Sequence, residues 1–285
     1  MRGLSFCQMG LGEMIDYHSL VRRLQDPFLL VSLYLLSFAI QDSLQLTLSL
    51  GAIAITELIY RQEQTKKVTP TYDLREILLI CAFPAVPYFL VQVLNLRLSF
   101  DSLLVLTLPD GSSFELIGSS LIFSLYIIPL FWRTVMKRES LQRIGFKIDM
   151  RATRLSILLL AQLLIPVSLH AFFFQRQSVS KMYSLLMFLK SMYLPGLAEE
   201  LYYRGLVLPA LRARTNDFFA VLLSALIFSA YHVPLLLALR LQELAAIFLL
   251  GTCLGFIYIR SQSIVPAVLF HGMVDGVPWL VNLFL

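Results

Sequence analysis

Three groups of polar side chains interrupt the apolar last third of this chain. Their ionisable members are Glu199, Glu200, Arg204, His232, His271 and Asp275. An ionisable side chain at the centre of a membrane helix costs about 2.5 to 3.5 kcal/mol, so such residues usually face the interior of a bundle and serve a function. A carboxylate that converges with imidazoles can activate water, and the imidazoles can carry protons or donate to a developing oxyanion.

The spacing within Glu-Glu-Leu-Tyr-Tyr-Arg distinguishes its two glutamates. On a helix Glu200 and Arg204 lie four residues apart on one face, so we expect them to pair. Glu199 is rotated by about 100° from Glu200 and has no partner in its own motif. One paired and one free carboxylate suits a positioned base. The nearby proline and glycine residues also fit an ordinary charged helix end at the membrane interface.

Both histidines also have a neighbour one helical turn away. Phe228 precedes His232 by four residues, and Pro234 follows closely, where it can kink the segment or open it to water. Asp275 follows His271 by four residues, which lets an aspartate orient the ring and fix its tautomer. Taken singly, each histidine also fits a hydrogen-bonded structural residue. The glycines of His-Gly-Met-Val-Asp-Gly allow another helix to approach closely or give the backbone local freedom.

The composition indicates an integral membrane protein. Hydrophobic residues make up 58% of the 285 residues and charged residues only 14%, whereas soluble domains average about 45–50% and about 25%. The net charge of +5 fits Lys and Arg in cytoplasmic loops and gives no reason to expect nucleic-acid binding. No phosphate-binding glycine loop implies a nucleotide. Three scattered cysteines suggest neither a disulfide framework nor a zinc cluster.

Apolar runs long enough to cross a membrane recur along the chain. The region 28–60 fits one long helix or two short ones, and the other predicted segments are 76–96, 114–132, 155–174, 183–208, 218–239, 244–260 and 264–285. This gives eight or nine segments. The loop 133–154 carries seven Lys and Arg residues and should therefore be cytoplasmic, as should residues 61–75.

The three motifs EExxxR, FxxxH and HxxxD, in this order on successive segments, resemble the CPBP family of CAAX prenyl proteases and Abi-type, bacteriocin-processing membrane proteins. The resemblance covers roughly residues 114–285 and includes a basic loop with the stretch RIGFKID before the core. We therefore expect an all-α, polytopic transmembrane helix bundle. Residues 1–110 form an N-terminal membrane region of unknown role, and residues 111–285 form the protease core.

The resemblance implies an intramembrane endopeptidase of the glutamate type, whose substrate is a prenylated or other membrane-associated protein cut near its C-terminus. By analogy, Glu199 activates water with the help of His232, while the carboxylate–guanidinium pair of the first motif supports the arrangement. His271 and Asp275 match the oxyanion site. Prenyl-protease members typically have Asn where Asp275 stands, and an ionised Asp repels an oxyanion. Asp275 is therefore either protonated or orients His271, and we favour the second role.

Other functions remain open on the sequence alone. No cofactor is predicted, but Glu199, His232 and His271 form a two-histidine, one-carboxylate set that could bind a divalent metal such as zinc. A non-catalytic membrane scaffold or a bacteriocin-immunity protein also fits the family. A transporter or proton relay fits less well, because the polar clusters lack the symmetry of inverted repeats. The expected surroundings are a lipid bilayer, most simply a bacterial plasma membrane spanned several times.

Overall fold

The structure is a computed structural model that describes residues 72–86, 105–109, 111, 113–115, 125–142, 144–148, 150, 152–161, 180–232 and 241–284. Among these residues, helices α1 (Leu74–Ala82), α2 (Ile127–Val135) and α3 (Ala152–Ala161) precede the motif region, by which we mean residues 180–284. The predicted segment 28–60 and most of the N-terminal region 1–110 lie outside the described residues, so their predictions stay untested.

A continuous helix carries the first motif, and we call residues 180–212 around it the composite helix. Its successive parts are Lys181–Ser191, Met192–Glu199, Glu200–Tyr202, Tyr203–Val207 and Leu208–Arg212, of which the second and fourth are π-helical. Pro195 has no N–H to donate to the preceding turn, and it lies inside the first π-helical part. The chain therefore passes the proline and both glutamates without ending the helix, contrary to an interfacial helix end.

Three further helices complete the motif region: α4 (Asp217–Ala230), α5 (Leu241–Ser261) and α6 (Val265–Phe284). Asn216 caps α4, since its side chain accepts from the Phe219 N–H. Helices α4 and α5 pack against each other, and α6 packs along the first two parts of the composite helix. A Cβ on Gly196 would lie 3.0 Å from the Gly272 Cα and 3.0 Å from the Val268 carbonyl oxygen. The glycines therefore let the composite helix and α6 cross closely, as the sequence predicts.

Helices α1 and α2 brace the other end of the composite helix. Helix α1 packs on its last two parts and α2 on Glu200–Tyr202. The two helices are joined by the Lys137–Glu76 ion pair and by buried Arg133, whose Cζ lies 4.1 Å from the centre of the Tyr72 ring. Arg133 also donates to Glu139, with 2.8 Å between Nε and Oε2.

The basic loop packs on the motif region instead of extending into solvent. Ile144 is buried over Gly205, and the Gly145 carbonyl oxygen accepts from the Ile264 N–H at 2.9 Å. Gly145 has φ +97°, and a Cβ there would lie 2.7 Å from the Tyr258 ring, so only glycine fits. The Ser263 hydroxyl donates to the Lys147 carbonyl at 2.5 Å. The loop is thereby attached to the turn between α5 and α6.

The helical prediction holds for the described part, with two corrections. Residues 114–132 do not form one membrane helix: a hairpin of β1 (Val105–Thr107) and β2 (Ser113–Glu115) reaches into this range, and α2 begins only at Ile127. The predicted segment 218–239 ends as a helix at Ala230. The hairpin also means that the described chain is predominantly, not entirely, helical.

Two of the described helices are long and apolar enough to cross a membrane, namely Glu243–Ser261 and Val265–Phe284. Large apolar side chains are also exposed on the outer faces of α1, α2 and α4, among them Leu79, Phe131 and Leu226. Exposed apolar surface of this kind suits contact with lipid. The predicted count of eight or nine segments requires residues outside the described part.

Candidate active site

The composite helix places both glutamates of the first motif in the protein interior. Only 6% of Glu199 and none of Glu200 or Arg204 is exposed. From α6, His271 points into the same region and is 3% exposed. His232 lies just beyond the end of α4 and is half-buried. Four of the six predicted site residues are thus buried, away from any outward lipid-contacting face.

A single carboxylate oxygen joins the first and third motifs. Oε1 of Glu200 accepts from Nη1 of Arg204 at 2.9 Å and from Nδ1 of His271 at 2.7 Å. Arg204 also donates through Nη2 to the Gly251 carbonyl oxygen of α5 at 2.8 Å. This network links the composite helix, α5 and α6. Because a charge-assisted hydrogen bond is stronger than a neutral one, the network fixes the His271 ring firmly.

The aromatic ring of Phe228 contacts both histidines and lies close to Arg204. It makes edge contacts with the rings of His232 and His271, with centroids 4.9 Å and 5.9 Å away, and with Tyr203 at 5.0 Å. The guanidinium carbon of Arg204 lies 5.1 Å from the centre of the Phe228 ring. The FxxxH motif therefore brings both histidines onto one aromatic ring.

The hydrogen bonds select the tautomers of both histidines. Nδ1 of His232 lies 2.9 Å from the Phe228 carbonyl oxygen, which can only accept, so Nδ1 carries the proton. The same reasoning puts a proton on Nδ1 of His271, which faces the Glu200 carboxylate. Each ring therefore has its Nε2 atom left to act on a water or a substrate.

Glu199 differs from its neighbour in having no fixed partner. Among the described residues no side chain hydrogen-bonds its carboxylate, although His271, Glu200, Asp275 and Arg204 lie within electrostatic range. The prediction of one paired and one free glutamate thus agrees with the geometry. A buried carboxylate without a fixed partner can accept a hydrogen bond from a water molecule.

Asp275 is not the hydrogen-bond partner of His271 that its spacing in the sequence suggests. The hydrogen-bond partner of the His271 ring is Glu200, from another helix, whereas Asp275 is exposed on α6. Its charge acts on Glu199, His232 and His271 from within electrostatic range only. We expected Asp275 to orient His271, and the described geometry assigns that task to Glu200.

The positions of the described side chains do not support the alternative of a bound metal ion. Within the part of the chain that the structure describes, no three His, Cys, Asp or Glu residues are placed together so that they could hold a metal ion. The two Nε2 atoms and Glu199 are the donors that such an ion would use. Metal dependence stays an alternative for experiment to test.

Sequence reasoning missed contributions that carry no motif. The Gly251 carbonyl, the second partner of Arg204, is a backbone group on α5, and its only sequence signal is a glycine in an apolar run. Tyr126 lies outside the three motifs and contacts Tyr202 and Tyr203, with centroids 5.0 Å and 6.0 Å away. Both tyrosines of the first motif are thus in an aromatic cluster that extends to α2.

The described fold and site are those of a helix bundle that holds carboxylates and imidazoles from separate apolar helices in its interior. Residues 181–277, which contain all three motifs, match the family model described as Rce1-like, Type II CAAX prenyl endopeptidase Rce1-like. This match supports the CPBP and CAAX protease family that the motifs predict. No curated protein and no solved structure matches the chain. The family is one of membrane-embedded proteases, so a hydrolase that acts on a membrane-associated protein is supported.

Proposed function

We propose that this protein is an intramembrane endopeptidase in which Glu199 activates a water molecule. The observation that carries the proposal is a buried glutamate without a fixed hydrogen-bond partner, beside a histidine whose ring is held by a second glutamate. In this reaction Glu199 takes a proton from water, and the hydroxide adds to the scissile carbonyl carbon. Collapse of the tetrahedral intermediate breaks the C–N bond once the leaving nitrogen has been protonated.

The two histidines have different tasks in this proposal. His232 presents the lone pair of Nε2, which can accept a hydrogen bond from the water and then relay the proton that Glu199 has taken to the leaving amine. His271 can donate from Nε2 to the oxyanion only when its ring carries two protons, and the carboxylate of Glu200 stabilises that imidazolium. Glu200 and Arg204 therefore support catalysis without touching the substrate.

The proposed substrate is a prenylated or other membrane-associated protein, cut near its C-terminus. A purified preparation should cleave a fluorogenic farnesylated peptide, and the same peptide without the lipid measures the preference. A parallel reaction with a chelator tests the metal alternative. Cleavage that survives the chelator supports a water activated by Glu199 alone, and cleavage that is lost and then restored by zinc supports the metal.

The decisive variant is Glu199→Gln, which keeps the size of the side chain and removes the base. We expect cleavage to fall by at least about 10²-fold, the scale of general-base catalysis. Thermal stability in detergent should not fall, because among the described residues Glu199 has no hydrogen-bond partner to lose. Glu243→Gln, near the start of α5, is the matched control and should keep its activity. Full cleavage by Glu199→Gln contradicts the proposal.

A second candidate is a non-catalytic scaffold, and the network of Glu200 favours it because the network ties three helices together. The same experiment separates the two functions. A scaffold loses its biological phenotype only in variants that lose stability, such as those of Glu200. A protease also loses the phenotype in Glu199→Gln at unchanged stability.

A further inference from the structure

Two tyrosines next to the catalytic motifs reach out to α1. The Tyr231 hydroxyl donates to the Cys81 carbonyl oxygen at 3.3 Å, and the Tyr202 hydroxyl donates to the Ile80 carbonyl oxygen. Tyr231 immediately precedes His232, and Tyr202 lies between Glu200 and Arg204 in the sequence. Both acceptors belong to the last turn of α1, which lies well before the segment that matches the family.

The sequence of α1 explains why its last turn accepts these bonds. In an α-helix the carbonyl of Ile80 would accept from the N–H of residue 84. Residue 84 is Pro84 and has no N–H, so the Ile80 carbonyl needs a donor from elsewhere. Tyr202 is fully buried and supplies that donor. Leaving such a carbonyl unpaired in the interior is costly, which makes the contact persistent.

The contacts of α1 continue beyond the two hydroxyl groups. The ring of Phe83, directly after α1, lies 5.9 Å from the ring of Tyr202. Helix α1 itself packs on the parts of the composite helix that follow Tyr202. A displacement of α1 would therefore move the backbone within and after the first motif and the backbone that precedes His232.

The Tyr231 contact acts at the point where α4 ends. Tyr231 is the residue that follows the last helical residue, and its N–H donates to the Ile227 carbonyl. His232 is then held by its N–H to the Ser229 carbonyl and by its ring to the Phe228 carbonyl. The Tyr231 hydroxyl ties this helix end to α1.

We propose that α1 is a positioning element of the active site and that Tyr231 is a positioning residue for His232, a proposal that rests on the proposed endopeptidase function. The phenol of Tyr231 holds the end of α4 against α1, so that Nε2 of His232 stays directed at the reacting water. A role is thereby assigned to a helix in the part of the chain that carries no family motif.

The test compares Tyr231→Phe with Tyr258→Phe in the full-length protein. Tyr258 is a buried tyrosine whose hydroxyl has no hydrogen bond to the described residues, so its variant controls for loss of a phenolic oxygen. We expect Tyr231→Phe to lower kcat on the farnesylated peptide about 3- to 10-fold, the effect of one hydrogen bond, with KM within about twofold of wild type. Tyr258→Phe should match wild type in both.

A second readout does not depend on catalysis. Diethyl pyrocarbonate modifies accessible imidazoles, and mass spectrometry gives the rate at His232. This rate should rise several-fold in Tyr231→Phe and stay unchanged in Tyr258→Phe. Equal rates in wild type and Tyr231→Phe overturn the proposal. If the wild-type protein cleaves no peptide, the proposed function fails, and the His232 rate still decides whether Tyr231 positions that ring.

The Pro84→Ala substitution separates positioning from simple satisfaction of a carbonyl. Tyr202→Phe leaves the Ile80 carbonyl without its donor, and Pro84→Ala supplies an N–H where the helix would use one. If α1 positions the site, the double variant regains thermal stability while kcat stays low, because the link between the helices is still missing. Recovery of kcat together with stability shows that Tyr202 only satisfies the carbonyl, and it overturns the positioning role of α1.

Discussion

At the scale of single residues, the site depends on one oxygen of Glu200. Oε1 of Glu200 accepts one hydrogen bond from the Arg204 guanidinium on the same helix and another from the His271 imidazole on α6. Arg204 is fully buried. Taking two charges out of water is expensive, and the pair is favourable only while both members remain. The arrangement is therefore a device for orientation more than a source of stability.

Removing the Glu200 carboxylate should expose that cost. We expect Glu200→Ala to lower the free energy of unfolding by about 3–5 kcal/mol, since it leaves the Arg204 charge buried without its partner. Glu200→Gln keeps an acceptor oxygen and should lose clearly less stability. Reversible unfolding in mixed micelles measures both. Equal losses for the two variants would show that the interior requires the negative charge of Glu200, and that a neutral side chain of the same shape does not replace it.

The residue scale also shows what the sequence could and could not predict. The spacing of Glu200 and Arg204 correctly predicts their pairing, because neighbours on one helix are fixed by its geometry. The same reasoning gave His271 the wrong partner, Asp275. Its actual partner comes from another helix, and the relative position of two helices depends on packing that spacing within one helix does not encode.

At the scale of elements, close helix contact sets the distance between the first and third motifs. A Cβ on Gly196 would meet backbone atoms of α6 at 3.0 Å. A Cβ on Gly276 would meet the ring of Phe188 at 3.0 Å, a side chain that can rotate. A Cβ would therefore be equally crowded at both glycines. At Gly276 the Phe188 side chain can move away, whereas at Gly196 the backbone of α6 cannot.

We expect Gly196→Ala to destabilise the protein by about 1–3 kcal/mol, the usual cost of overpacking. It should also lower cleavage, because it pushes Glu199 and Glu200 away from His271. Gly276→Ala is the comparison and should cost less in both. Unfolding in detergent and peptide cleavage give the two numbers for each variant. A larger effect of Gly276→Ala would contradict the role of backbone contact.

Elements were predicted unevenly. The glycine crossing and the last two helices agree closely with the prediction, since long apolar runs and small residues are strong local signals. The π-helical parts of the composite helix were not predicted. The first of them accommodates Pro195 in a helix that neighbouring helices contact on several sides, and that support is a tertiary effect. The β1–β2 hairpin was missed because its three-residue strands are too short for a pattern to develop.

At the scale of the whole molecule, the basic loop and the helices form one packed unit. Ile144 fills the space over Gly205, the residue that follows Arg204. A Cβ on Gly205 would lie 2.9 Å from Cγ2 of Ile144. The basic composition of the loop correctly drew attention to it, but charge gave no indication that its apolar residue is buried.

This contact predicts non-additive substitutions. Gly205→Ala should destabilise by about 1–3 kcal/mol through overpacking, and Ile144→Ala by about 2–5 kcal/mol through the cavity that it leaves. The double variant should lose less than the two together, because the new methyl group occupies space that the isoleucine vacates, with a coupling of about 0.5–3 kcal/mol. A double-mutant cycle of unfolding free energies measures it. Simple additivity would show that the two side chains do not meet.

The attachment of the loop bears on how this protein can be engineered. Ile264 and Ser263 donate hydrogen bonds to the backbone of Gly145 and Lys147, so residues 144–147 hold the start of α6 in position. A fluorescent reporter or an affinity tag inserted there would displace residues 144–147 from α6, the helix that carries His271. We expect such a fusion to lower the proposed cleavage activity, even though the lysines and arginines of the loop alone suggest a hydrophilic linker that tolerates insertions.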